Sequence, residues 1–232
     1  MAEKTGFSRR DLKGPDEFIS TFGRTVAWCK ENRAKVAAGA IGVVAVVALL
    51  LGTQAYLQWE ENKSARDLWP TLDRAQQVLQ VPYAADPSQL AAIEQFLQGH
   101  VSRHPNTRAT VYSLYYLGSI AFFRSDYDRA VTQFRAGIAT GKETGIMKYL
   151  FREGIASSLE ARGDFSAAAA AYRDAASVAE PNMKTQSRMG EARVLGLGGK
   201  KTEAMALYRL ILKENPETPL RDLVEVQLAE SE

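Results

Sequence analysis

The 232-residue chain is poor in the residues that most often carry chemistry. Its single cysteine, Cys29, excludes an intramolecular disulfide and any zinc or iron–sulfur site built from a cysteine cluster. Its two histidines, His100 and His104, stand four residues apart. His104 precedes Pro105 at a helix end, and no third ligand or HExxH glutamate accompanies the pair, so structural roles are expected. No Walker loop or GxSxG elbow is found, and Gly196-Leu197-Gly198-Gly199 lacks both a preceding strand and a following Lys-Ser/Thr. It reads as a turn between helices. The carboxylates Asp126, Asp128, Glu153 and Glu160 are expected at turns or on solvated helix faces. A non-enzymatic protein without metal or cofactor is the resulting expectation.

Charge of one sign is also lacking. Lys and Arg number 29 against 27 Asp and Glu, for a formal net charge of +2. That excludes a polybasic nucleic-acid binder, and 46% hydrophobic residues exclude a charge-dominated disordered chain. The mean hydropathy of −0.23 is that of a soluble protein. The average hides one segment.

From Val36 to Trp59 no residue is charged, a run of 24 positions. A membrane-spanning helix needs about 20 apolar residues, and residues 36–57 provide 22. Trp28 precedes this run, and Tyr56 and Trp59 lie at its far end, where amphipathic rings favour the headgroup level. Residues 1–35 carry a net +3 and residues 60–232 a net −1, which favours a cytoplasmic N-terminus. A basic region 35 residues long, with no small-x-small site after Leu51, argues for an uncleaved signal-anchor. Ser8-Arg9-Arg10 lacks the apolar pair and the spacing of a twin-arginine signal. Within the tail, Gly14-Pro15-Asp16-Glu17 is a helix start. Phe18, Phe22, Val26 and Cys29 then share one face, which would lie on the inner membrane surface or dock a partner. Cys29 belongs to that apolar stripe.

Residues 58–232 show helical periodicity and an internal repeat. An alanine is followed four residues later by an aromatic at Ala92/Phe96, Ala130/Phe134, Ala168/Tyr172 and Ala204/Tyr208, at intervals of 38, 38 and 36. Four residues is one helical turn, so each pair shares a face. Leu117-Gly118 precedes the second pair, Gly163-Asp164-Phe165 the third and Gly198-Gly199-Lys200 the fourth. Pro105, Pro181 and Pro216 close three units. These residues resemble the tetratricopeptide repeat, and an all-α solenoid of helical hairpins follows, in units of about 73–105, 111–144, 149–182 and 185–218. Residues 219–232, with Leu220, Leu223, Val224 and Leu228 on one stripe, form a capping helix. At the front, Glu60–Leu79 reads as a long helix continuing from the membrane, which Pro70 would kink or restart. Pro82 and Asp86-Pro87-Ser88 mark the loop that follows.

In this repeat the first helix of each unit lines a concave groove. The groove residues are therefore expected to be Tyr112, Tyr115, Ser119, Phe122 and Phe123, and then Leu150, Glu153, Ser157 and Glu160. The aromatics would dock an apolar segment of a client, or Phe122 and Phe123 would pack on the neighbouring unit. Repeats that clamp chaperone C-terminal carboxylates carry Lys and Asn where Tyr115 and Ser119 stand, so that clamp is missing.

A short tail with Trp28, Lys30, Glu31, Asn32 and Arg33, a span, a repeat domain and a closing Thr218-Pro219-Leu220 together resemble the YfgM family. The resemblance implies a bacterial inner-membrane protein with a periplasmic repeat domain, ancillary to the Sec translocon and beside a membrane-anchored foldase. It implies a non-enzymatic scaffold or chaperone-like adaptor that receives client polypeptides. The alternative is an assembly factor or structural bridge of another envelope complex, for cytochrome maturation, pili or cell division. Inverted topology and homo-oligomerisation stay open.

Overall fold

The computed structural model describes residues 17–80 and 86–231, with side chains from 23 to 79 and 86 to 230. The helix start at Gly14-Pro15-Asp16, the Ser8-Arg9-Arg10 stretch and Pro82 lie outside the described residues, as do the side chains of Phe18 and Phe22. Two compact units divide the chain, Met1–Leu57 and Gln58–Glu232.

The first unit contains α1 (Glu17–Glu31) and the opening of α2 (Arg33–Gln80). In α2, no residue of its most apolar 18-residue window is buried. Ile41 and Leu49 are each 69% exposed.

The second unit contains the rest of α2 and then α3 (Pro87–Arg103), α4 (Arg108–Phe123), α5 (Tyr127–Ala139), α6 (Ile146–Ala161), α7 (Phe165–Val178), α8 (Pro181–Leu197), α9 (Lys201–Glu214) and α10 (Arg221–Ser231). There is no strand among the described residues. Helix starts follow the local chemistry. The side chains of Asp86, Thr107, Asp126 and Asp164 each accept a backbone N–H from the first turn of α3, α4, α5 and α7. Between the helices of each hairpin the chain turns through one left-handed residue: Gly163 at φ +86°, Gly199 at +82° and, in the equivalent place, Ser125 at +58°. Glycine tolerates that conformation without steric cost; serine does not.

Successive hairpins α4/α5, α6/α7 and α8/α9 stack through the small-residue and aromatic pattern. Ala130, Ala168 and Ala204 are all fully buried, and Phe134, Tyr172 and Tyr208 almost so. The Phe134 ring lies between Gly118 of its own hairpin and Gly154 of the next, and Tyr172 packs on Gly190 in the same way. The first hairpin departs from this frame. Ala92 is exposed and Phe96 only half-buried, while Ile93 and Leu97 point inward against Leu68, Leu72 and Ala75 of α2. Its packing frame is one residue later than the alanine–aromatic alignment implies, because Ile93 and Leu97 share one core cluster with Leu68, Leu72 and Ala75 of α2 and with Leu117 and Ile120 of α4. Pro70 lies inside α2 and does not end it.

Buried polar groups are matched across helices. Glu94 on α3 pairs with Arg124 and Arg129, and Glu191 on α8 with Arg173. His100 is fully buried, with its Nε2 3.0 Å from the Ser64 carbonyl and its Nδ1 2.9 Å from the Ser113 hydroxyl. A carbonyl only accepts, so Nε2 carries the proton and Nδ1 accepts from Ser113. His104 Nδ1 lies 2.6 Å from Glu60. The His100 imidazole thus joins α2, α3 and α4, and that of His104 ties the end of α3 to α2.

Burial holds the His100 imidazole below its ordinary value, and the charges of His104 and Arg103 add to this. The Ser64 carbonyl and Asp67 pull the other way. The fold therefore favours neutral His100. The stability this contributes is complete above the unfolded-state value and is lost as pH falls from there through the lower folded-state value. Urea unfolding is expected to need less denaturant as pH drops below about 6.5, and a His100→Gln variant to show a shallower dependence. Equal slopes for both proteins would refute the assignment.

Candidate binding face

Helices α4, α6 and α8 hold the same place in three successive hairpins, so residues 36 to 38 apart in sequence lie side by side on one face. The aromatic end of this face is on α4. Tyr115, Tyr116, Ser119 and Phe123 join Gln76 and Leu79 of α2 around a cleft of about 250 Å³. Tyr115 is fixed edge-on against Phe151 at 5.9 Å and tilted on Phe134 at 6.0 Å. Burial pushes its phenol upward, against a hydrogen bond with Ser119. The Ser119 hydroxyl proton goes to the Tyr115 carbonyl, 3.0 Å away. Phe123 stays 46% exposed at the rim. Tyr112 is not part of the cleft and packs, tilted by 48°, on the exposed ring of Trp69, with centroids 5.8 Å apart.

Two of the expected groove residues do other work. Phe122 packs on Tyr127 at the α4–α5 turn, with centroids 5.7 Å apart, and Leu150 rests against the central core. The chain therefore divides its two adjacent phenylalanines: Phe122 packs, and Phe123 is presented.

The polar end lies on α6 and α8, and here a sequence expectation needs correction. Glu153 and Glu160 are not solvated; both are drawn partly into the solenoid. Arg193 grips Glu160 through Nε and Nη2, at 2.8 Å each, and the Tyr172 hydroxyl donates to the same carboxylate at 2.5 Å. Burial pushes Glu160 up, but these hydrogen bonds outweigh it and hold the carboxyl below its ordinary range. Ser157 lies 3.4 Å from the Tyr172 hydroxyl. Glu153 accepts from the Ser187 hydroxyl at 2.8 Å, and burial holds its carboxyl above the usual range. The Arg193–Glu160 and Ser187–Glu153 pairings cross from one hairpin to the next, and those of Tyr172 join the two helices of one hairpin; sequence periodicity within a single helix shows neither.

Trp69, Gln76, Leu79, Tyr116 and Arg193 belong to this face and were not expected there. Arg193 had a signal, because it stands one repeat period, 36 residues, after Ser157. The α2 residues had none, since their face depends on which helix they meet. Among the described residues no group of three or more His, Cys, Asp or Glu is placed to hold a metal ion.

The geometry defines a tetratricopeptide-like helical solenoid. No protein-family profile matches the chain, and no curated protein is significantly similar to it. Solved structures are similar in fold. The nearly identical TPR-like repeats assigned to a kinesin light chain of Podosopora anserina superpose with a TM-score of 0.57 at 15% identity, covering 71% of this chain and 84% of that one. A single-substitution form of the same repeats gives 0.57 at 16% identity over the same shares. YrrB, described as a TPR protein with an unusual peptide-binding site, gives 0.47 at 19% identity over 68% and 72%.

Proposed function

We propose that the chain is a non-enzymatic, membrane-tethered scaffold or chaperone-like adaptor that binds polypeptide segments on its α4–α6–α8 face. The observation that carries this reading is the aromatic cleft. Phe123 lines it at 46% exposure, beyond what the core uses, and concave apolar surface with a few polar groups is a common binding geometry. The exposed apolar stretch of α2 supports the tether, with residues 36–57 as the span and residues 58–232 as the binding domain. The YfgM-like layout supports a bacterial inner-membrane address with the repeats in the periplasm. Its partners would be Sec translocon subunits, a membrane-anchored foldase and newly translocated clients.

A photo-crosslinking residue in place of Phe123, activated in cells, tests the partners. Enrichment of Sec subunits and the foldase is the expected outcome, and their absence sinks the translocon assignment. Protease added to spheroplasts tests the address: digestion of the repeat domain is expected, and full protection would place it in the cytosol.

A further inference from the structure

The chain has three tryptophans, and two of them border the apolar run. Trp28 precedes it, and Trp59 closes it with the Lys63 ammonium 4.9 Å from its ring centroid. Trp69 lies outside the run on α2 and is 52% exposed. Among the described residues its one ring contact is Tyr112, at 5.8 Å between centroids and 48° between planes. The two rings form an aromatic corner, and no cation of the chain covers the indole.

The next turn of each helix adds a polar group. Helices α2 and α4 run in the same direction, since Trp69 meets Tyr112 while Gln76 and Leu79 meet Tyr116 and Phe123 further along. Asp73 follows Trp69 by one turn of α2, and Tyr116 follows Tyr112 by one turn of α4. These two feel each other. Burial raises the Tyr116 phenol above its ordinary value, and neighbouring Tyr115 and the charge of Asp73 add to this. Asp73 itself is exposed and has no hydrogen bond or ion pair among the described residues. No lysine or arginine stands three or four residues from it in either direction. By contrast Glu94, Glu160 and Glu191 each hold an arginine.

We propose that Trp69, Asp73, Tyr112 and Tyr116 receive one arginine side chain of the bound polypeptide. This rests on the proposed polypeptide-binding role of the face. A guanidinium is flat and weakly hydrated, so it lies on the indole while its N–H fork meets a carboxylate. Residues one helical turn apart have Cβ atoms about 5–6 Å from each other, which puts ring and carboxylate within reach of one arginine. The Tyr116 hydroxyl oxygen offers a further acceptor. A lysine ammonium matches the charge but has no flat face to lay on the ring.

Tyr116 and Phe123 are seven residues apart, about 10 Å along α4, and an extended chain advances about 3.3 Å per residue. A segment with a large apolar residue in the Tyr115–Phe123 cleft would therefore carry its arginine about three residues away.

The test is fluorescence anisotropy on the full chain in maltoside micelles. One labelled peptide is Phe-Ala-Ala-Arg-Ala-Ala-Phe, which presents the same spacing in both chain directions. The other has citrulline for arginine, which keeps the shape without the charge. The arginine peptide is expected to bind about five- to tenfold more tightly. Asp73→Asn should bring it to the level of the citrulline peptide, with the thermal midpoint unchanged because Asp73 has no partner to lose. An arginine preference that persists in Asp73→Asn would overturn the site, and a lysine peptide that binds as tightly would overturn the guanidinium assignment. Equal affinities of the arginine and citrulline peptides, both lost in Phe123→Ala, would overturn the arginine site and leave the binding face standing. Failure of both peptides to bind would overturn both.

Discussion

Adding one methyl group at Gly154 is expected to destabilise the repeat domain, whereas the same change at Gly99 is expected to stabilise it. Both glycines are inside helices, where alanine is intrinsically better by about 0.5–1 kcal/mol. At Gly99 a new Cβ meets nothing within 4 Å, so that gain is free to show. At Gly154 the Cβ would lie 2.6 Å from Phe134 Cε2, and at Gly118 it would lie 2.5 Å from Cε1 of the same ring. The ring cannot step aside, because Phe151 and Tyr115 pack on it at centroid distances of 6.3 Å and 6.0 Å. Overpacking of this kind costs about 1–3 kcal/mol, which outweighs the helix propensity. In a protein of this size that lowers the midpoint by roughly 2–4 °C per kcal/mol. Thermal unfolding followed by circular dichroism checks the sign at each site. Gly154→Ala combined with Phe134→Leu should recover part of the loss, since both sites share one ring. A stabilised Gly154→Ala variant would mean that the hairpins are not stacked as closely as described.

That close approach explains what could be read from the residue order and what could not. Ala130, Ala168 and Ala204 recur with an aromatic one turn later, and this periodicity is local, so it marked the second helix of three hairpins directly. The frame failed at α3. Ala92/Phe96 fits the pattern as well as the others, but α3 meets both α2 and α4, and Leu68, Leu72, Leu117 and Ile120 together select Ile93 and Leu97. Ser125 shows a similar limit: it holds a left-handed turn where its repeat equivalents are glycines. The candidate face was partly legible. Tyr115, Ser119 and Phe123 follow from register on α4, and Phe122 could not be separated from Phe123 without knowing where Tyr127 folds back. The partners of Glu153 and Glu160 come from α7 and α8. Helical spacing on α6 leaves them looking like solvated acids, because the neutralising groups arrive only when hairpins stack.

Two arginines at the centre of the apolar segment are expected to remove the chain from the membrane fraction. Val43 and Val47 lie one turn apart on α2 and are 64% and 48% exposed. Each arginine at the middle of a spanning helix costs about 2.5–3.5 kcal/mol on an insertion scale. Both on one face leave no short route to a headgroup for either side chain. Against this stands the transfer of Ile41, Val44, Leu49, Leu50 and their neighbours, each contributing only about 0.3–0.6 kcal/mol on the same scale, which does not offset two arginines. The wild-type segment has no charge to offset that gain, and none of its most apolar window is covered by protein. Alkaline carbonate extraction should leave the wild type in the pellet and move Val43→Arg/Val47→Arg to the supernatant or to degradation. A Val43→Leu/Val47→Leu pair keeps the bulk without the charge and should stay in the pellet. An arginine at Ala37 should be tolerated, because a long side chain near the end of a span reaches the interface. Release of the wild type by carbonate would overturn the tether, and retention of the double-arginine chain would show that these residues do not cross the bilayer core.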